Sequence, residues 1–236
     1  MSKIILKNVY LNYPIFSSDS RSFKKNVLNK IKSEKFKQNS SNVLHVQALK
    51  DINLKINEGD KVGIYGNNGS GKSSLLKVIS GIYYPSNGTI NVEGSINSLI
   101  SLNAGFNENL TGKENSIFKL KLLGIEKNEI IEKLEEIKNF SGLGEFFFLP
   151  IKTYSSGMQL RLSFSLLILC PHDILIMDEW LTVGDDSFQK KAMNRMNDII
   201  EKSKILVLAS QSKNVLNKIC NKIFSLEDGI ITNEGN

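Results

Sequence analysis

No stretch of this 236-residue sequence is apolar for long enough to cross a bilayer: LLILC at 166–170 is among its longest apolar runs, and a spanning helix needs roughly 20 such residues. The N-terminus, MSKIILKNVYLNY, alternates polar and apolar residues. It has neither the uninterrupted apolar core nor the small-residue cleavage site of a secretory signal, so a cytosolic chain is expected. Cysteine is scarce. Only Cys170 and Cys220 occur, both in apolar sequence, which favours buried thiols over a disulfide or a metal site. With His45 and His172 as the only histidines, a Cys/His metal centre is excluded. Neither charge dominates: 30 Lys and Arg against 24 Asp and Glu leave +6, a weak pull toward nucleotide, lipid headgroups or nucleic acid. At 41% hydrophobic and 23% charged the composition is that of a globular protein, one domain with room for a subdomain.

What is present centres on VGIYGNNGSGKSSLLKVIS at 62–80. Val62, Ile64 and Tyr65 read as a short buried strand, and Leu75, Leu76, Val78 and Ile79 space apolar groups as a helix does. Between them, Gly66, Asn67, Asn68, Gly69, Ser70, Gly71, Lys72, Ser73 and Ser74 fit GxxxxGK[ST] and its first flanking position. Glycines let successive N–H groups turn inward and cradle an anion at the helix N-terminus. Lys72 brings a charge within reach of the β- and γ-phosphates of a nucleotide, and the Ser73 hydroxyl suits Mg²⁺. The bland alternative is a Gly-rich turn before a helix. The strand before the motif and the helix after it favour phosphate binding.

Around this centre, 4–13 and 46–56 alternate as strands do, and the spacing predicts that they pair as an antiparallel hairpin. Tyr13, at the end of the first, has two readings: an aromatic ring that stacks on adenine, or a cap on a sheet edge. An insertion at 17–42 is rich in Lys and Arg, with Phe23, Val27, Leu28 and Ile31 on one helical face. It reads equally as a basic amphipathic helix against a membrane or acidic partner and as a solvated surface loop. Two short strands break at Gly94. A Lys-, Glu- and Leu-rich segment at 110–140 then has helical periodicity, with Thr111 as N-cap and Glu114 three residues on. In PIKTYSSGMQLRLSFSLLILC, Ser155, Ser156 and Gly157 open an apolar helix; such a terminus is an N-cap and a second anion site. The apolar strand 174–177 ends in Asp178 and Glu179. Beside a phosphate loop, Asp178 suits Mg²⁺ held through water, and Glu179 suits a base that orients the attacking water. A further buried strand is expected at 204–209, and a terminal hairpin around Asp228 and Gly229.

In this order the motifs resemble the nucleotide-binding subunits of ABC transporters over nearly the whole chain. Gly66 to Ser73 is similar to their Walker A, and Asp178 with Glu179 to the Walker B aspartate and catalytic glutamate. YSSGMQ at 154–159 stands where LSGGQ is usual. YSSGM after PIKT, LTVGDDSFQKKA at 181–192 and NAGFNENLTGKEN at 103–115 resemble the subfamily that exports O-antigen, capsule and teichoic acid polymers, with Asp185 as the D-loop aspartate.

The resemblance implies an α/β P-loop ATPase core with antiparallel strands (1–104 and 170–236), an inserted helical subdomain carrying the signature (105–169) and the basic insertion (17–45). It implies ATP and Mg²⁺ as ligands and a head-to-tail homodimer with ATP between Walker A of one subunit and the signature of the other. Its partners would be membrane-spanning permease subunits that move a lipid-linked polysaccharide, and its place the cytoplasmic face of the inner membrane, peripherally bound. Two features depart from the pattern. No glutamine lies between Thr89 and Leu120, and Gln211 stands where the switch histidine is expected, in LASQS. Some members carry a carbohydrate-binding domain after the ATPase; with the sequence ending at Asn236, recognition of the polymer end is not expected here. The competing reading is a soluble ABC ATPase acting on nucleic acid, and a weaker one a small-molecule kinase. YSSGM and the lack of an aromatic-basic surface beyond the insertion weigh against nucleic acid; the signature and the acidic pair weigh against a kinase.

Overall fold

The computed structural model describes residues 1–15, 36–38, 44–100, 105–169, 172–179 and 186–235. Cys170, Asp185 and the predicted amphipathic face at Phe23, Val27, Leu28 and Ile31 lie outside these residues. In chain order the strands are β1 (Lys3–Ile15), β2 (Phe36–Gln38), β3 (Leu44–Asn57), β4 (Lys61–Tyr65), β5 (Asn87–Glu93), β6 (Ile96–Ser98), β7 (Ile174–Asp178), β8 (Ile205–Ser210), β9 (Lys222–Glu227) and β10 (Ile230–Gly235). The helices are Lys72–Ile79, Gly112–Leu122, Lys127–Ser141, Ser156–Ile168, Asp186–Lys202 and Lys213–Ile219. These elements form two compact units, Met1–Gly94 with Val207–Asn236, and Ser95–Leu206.

In the first unit the expected pairing of β1 with β3 is present and antiparallel. Alternation on a strand pair keeps one face buried only while the register is unbroken, yet here the buried residues change parity, Ile4 and Leu6 followed by Val9 and Leu11. The change is made by a bulge. Leu6 pairs with Leu54 and Val9 with Ile52, while Asn8 (φ 49°) and Asp51 (φ 48°) take left-handed backbone. Their side chains hold the kink: Asn8 Nδ2 donates to Asp51 Oδ1 at 2.8 Å, and Asn8 N–H donates to Asn53 Oδ1 at 2.9 Å. Short polar side chains that bond locally are the non-glycine residues best suited to that region. Both strands therefore shift together and the apolar face stays inside. β2 extends this sheet by pairing with β3, and β5 pairs with β1, giving the order β2-β3-β1-β5.

The same unit holds a second sheet in which β4 lies beside β9 in parallel and the neighbours run β10-β9-β4-β8. A parallel strand covered on both faces reads as continuous apolar sequence, and β8 is buried at every position. The terminal hairpin turns at Asp228 (φ 47°) and Gly229 (φ 80°), as expected.

The second unit contains β6 and β7 in parallel and a helical core of Leu120, Ile130, Ile137, Leu143, Phe147, Ile151, Tyr154, Leu162 and Leu166. The periodic segment at 110–140 is two helices, because Gly124 (φ 77°) breaks it after Leu123. Thr111 and Glu114 form the expected capping box.

Asp173 fastens the start of β7. Its carboxylate accepts from Ser95 N–H (2.9 Å) and Ser95 O–H (3.0 Å) and meets Lys204 Nζ at 2.7 Å. The Lys204 ammonium and these donors hold its pKa down, from 3.8 to about 2. A lowered carboxylate pKa adds stability that is present above the ordinary value and fades as pH falls through the folded one. The wild-type protein is therefore expected to lose this contribution between pH 3.8 and about 2. Asp173→Asn should lower Tm at pH 7 by about 2–4 °C and remove that acid step, as followed by thermal melts at a series of pH values.

Candidate functional site

β4 delivers the chain to a loop whose shape is set by close backbone approach. A Cβ at Gly66 would run into the Leu226 carbonyl and the Ser70 hydroxyl; one at Gly71, already at φ 110°, would sit 2.7 Å from the Ala48 oxygen. Gly71 is also the N-cap of the helix Lys72–Ile79, which has no side-chain cap and no acid in its first turn. The first N–H groups of that helix are thus left for an outside acceptor, with the positive end of the helix dipole behind them. Gly229 N–H donates to Ser70 O at 2.8 Å, and Lys50 N–H to Gly229 O at 2.7 Å, which ties the turn of the terminal hairpin to the loop.

Lys72 is 6% exposed. Its Nζ donates to Gly66 O at 2.7 Å and to Asn67 O at 3.0 Å, so the cation lies inside the curve of its own loop. Asn67, Asn68, Gly69 and Ser73 are exposed on it, Ser74 is half-buried, and Ser70 is buried. The Ser70 hydroxyl has no hydrogen-bond partner. Two more residues from the first unit converge here. Gln211 directly follows β8, and its Nε2 donates to Asn68 Oδ1 at 2.8 Å. The Tyr13 hydroxyl lies 3.0 Å from Ser74 Oγ. Charge, amides and an aromatic ring thus gather around one helix N-terminus, an arrangement suited to a phosphorylated aromatic compound.

The second unit carries the other predicted residues. Asp178 ends β7 half-buried, and Glu179 follows it, exposed and at φ 69°. Ser155 is the N-cap of Ser156–Ile168 and accepts from Met158 N–H at 3.2 Å. Ser156 is exposed and Gly157 half-buried in the first turn, which again contains no acid. Asp185 lies outside the described residues.

Sequence reasoning left two residues that shape this unit without a role of their own. Tyr154, just before the N-cap, is 7% exposed, and its hydroxyl donates to Phe146 O at 2.7 Å. Burial pushes its pKa up to about 12, so it remains a donor. Asn115, 2% exposed, gathers 107–111: its Nδ2 shares its two hydrogens among the carbonyls of Asn107, Leu110 and Thr111, and its Oδ1 accepts from Asn107 N–H. Helical periodicity gave Asn115 only a place in a helix, and nothing in the spacing marks a polar residue as buried.

Comparison with known proteins identifies the group. The family model described as ABC transporter matches residues 49–182. The chain belongs to the ABC transporter family. It is 41% identical to the O-antigen export system ATP-binding protein RfbE of Yersinia enterocolitica, over 99% of this chain and 98% of that one. It is 38% identical to the O-antigen export system ATP-binding protein RfbB of Myxococcus xanthus, over 100% of this chain and 54% of that one. A 41% identity to the teichoic acids export ATP-binding protein TagH of Bacillus anthracis covers 80% of this chain and 34% of that one. This ABC chain thus spans about half of the Myxococcus protein and a third of the Bacillus one. Among solved structures, the dimeric post-hydrolysis ATP-binding cassette MJ0796 bound to ADP and Pi superposes with a TM-score of 0.70 at 21% identity, over 99% of this chain and 98% of that one. The fold is that of the P-loop ABC ATPases.

The Tyr154 hydroxyl also explains a glycine. A Cβ at Gly112 would collide with it. Gly112→Ala should therefore destabilise the protein by about 1–3 kcal/mol and Tyr154→Phe by about 1 kcal/mol. The double substitution should cost less than the sum, since the atom that the new methyl meets is gone. Urea denaturation of the four proteins checks this, and strict additivity would show that the two positions are not coupled.

Proposed function

We propose that the chain is the ATP-binding and ATP-hydrolysing subunit of an exporter that moves a lipid-linked polysaccharide, of the O-antigen, capsule or teichoic acid kind, across the cytoplasmic membrane. The end-to-end similarity to the Yersinia O-antigen export protein carries this reading. Walker A, from Gly66 to Ser73, with Ser74 beside it, receives the triphosphate: the loop amides and the helix N-terminus face the phosphates, and Lys72 meets their outer oxygens. Tyr13 takes the base. Ser73 and Asp178 are hard oxygen donors of the kind that would hold Mg²⁺, and the ion would supply positive charge beside the phosphates. Glu179 accepts a proton from the attacking water as the bond from the γ-phosphorus to its bridging oxygen breaks, leaving ADP and Pi.

Ser155, Ser156 and Gly157 on the helical segment 105–169 meet the nucleotide of a second copy in a head-to-tail dimer, and Asp185, outside the described residues, keeps its D-loop role by resemblance alone. Two helix N-termini on one anion give ATP a reason to close that dimer. Closure drives membrane-spanning permease subunits, which places the chain peripherally on the cytoplasmic face of the inner membrane. No helix among the described residues is long and apolar enough to cross it.

Glu179→Gln keeps the shape of the side chain and removes its basicity. It should bind ATP with little change, hydrolyse it more than a hundredfold more slowly and size as a dimer with ATP and Mg²⁺. In cells it should leave the polymer on the inner side of the membrane. A variant that stays monomeric under saturating ATP would argue against the paired-site mechanism.

Gln211, whose Nε2 donates to Asn68 of the phosphate loop, takes the γ-phosphate side in this reading. Its amide donates a hydrogen bond but carries no charge. Losing one aimed donor costs about 3 kcal/mol of transition-state stabilisation, roughly a hundredfold in rate. Steady-state ATPase should therefore fall in Gln211→Ala and rise in Gln211→His. Equal rates in all three proteins would remove Gln211 from the reaction.

A further inference from the structure

The ring of Tyr13 is held at two points, one on Ser74 and one on Tyr83. Its hydroxyl meets Ser74 Oγ at 3.0 Å. That oxygen lies on the Cγ–Cζ axis of the ring, so the bond fixes where the ring points and leaves rotation about the axis free. Tyrosine χ2 is a broad torsion with two equivalent wells, and nothing intrinsic to the side chain removes that freedom. The second contact does. Tyr83 packs against Tyr13 with centroids 5.6 Å apart and planes at 78°, an edge-to-face pair of the favoured kind. Tyr83 is steadied in turn by Lys77, whose Nζ lies 5.4 Å from its ring centroid. Lys77 and Ser74 both belong to the helix that follows the phosphate loop, so ring, clamp and phosphate site share one rigid support.

We infer that Tyr83 is a positioning residue for the nucleotide base: it sets the plane of the Tyr13 ring, so that the ring is turned for stacking before the nucleotide arrives. The inference rests on Tyr13 taking the base in the proposed ATP site. An edge-to-face contact uses at most one face of Tyr13 and leaves the other for the base. Stacking needs parallel planes, so a freely turning ring gives up part of its affinity to ordering, whereas a ring already held does not. The edge contact needs the aromatic ring of Tyr83 rather than its hydroxyl, and Tyr83 is 36% exposed, so the position tolerates substitution without loss of the fold.

The test separates base from phosphates. Affinity for MgATP and for inorganic tripolyphosphate, which has the phosphates and no base, is measured by titration calorimetry on the full chain. Tyr83→Leu should weaken ATP by roughly three- to tenfold, the range of an aromatic pair, and leave tripolyphosphate unchanged. Tyr83→Phe should bind both as the wild type does. Equal weakening of both ligands in Tyr83→Leu, or of neither, overturns the inference, as does a Phe variant that behaves like Leu. Tyr13→Leu supplies the control. If it too fails to separate ATP from tripolyphosphate, the stacking role of Tyr13 falls and the inference with it; if it separates them and Tyr83→Leu does not, only the role of Tyr83 is lost.

Discussion

A buried ammonium held by two main-chain carbonyls is the interaction on which the nucleotide side of this chain depends. Taking an isolated charge out of water costs several kcal/mol unless dipoles or counter-charges replace the lost hydration. At Lys72 the Gly66 and Asn67 oxygens supply that replacement. Because a peptide C=O and the following N–H point in opposite directions, carbonyls turned toward Lys72 turn the N–H groups of Asn67 and Asn68 the other way. Carbonyl dipoles are weaker partners than phosphate oxygens, so the same ammonium gains when an anion arrives. The closeness of Gly66 to the Leu226 carbonyl and of Gly71 to that of Ala48 keeps the loop from relaxing into another shape.

How much of this was legible depended on whether the determinant was local. Strand alternation, the capping box at Thr111 and Glu114, the N-cap at Ser155 and the Asp228–Gly229 turn each follow from residues within a few positions of one another, and the structure has them all. The phosphate-loop sequence likewise announces its strand–loop–helix setting. The bulge at Asn8 and Asp51 was not foreseen, although the parity change from Leu6 to Val9 records it. Two polar residues facing each other across strands that are 43 positions apart in sequence carry no signal until the pairing is known.

The same reason hid the contacts that arrange the candidate site. Gln211 and Asn68 are 143 residues apart, Tyr13 and Ser74 are 61 apart, and no periodicity relates them. Tyr154 was read only as part of a signature, in a place where leucine is usual. A leucine would fill the helical core but could not donate to Phe146 O, and it would remove the nearest atom that a Cβ at 112 would meet. The hydroxyl and the missing Cβ are two halves of one fit. A buried phenol without a partner would cost about 1–3 kcal/mol, so burial of this ring and its hydrogen bond come together.

Four described non-glycine residues have positive φ: Asn8, Asp51, Glu179 and Asp228. Three are Asn or Asp, whose short side chains bond to nearby polar groups and offset the steric cost of left-handed backbone. At Asn8 and Asp51 such bonds are seen directly. Glutamate has a longer side chain and no comparable preference, yet Glu179 holds φ 69° at the end of the fully apolar run of β7. Strain of that kind, on the order of 1–3 kcal/mol, persists where the surroundings over-determine the conformation, and it collects at functional positions. Continuing β7 in extended geometry would carry residue 179 onward along the strand axis. The left-handed step instead turns the chain away from the strand axis at Glu179. In an extended strand neighbouring side chains point to opposite faces, and the left-handed residue at the end of β7 breaks that pattern.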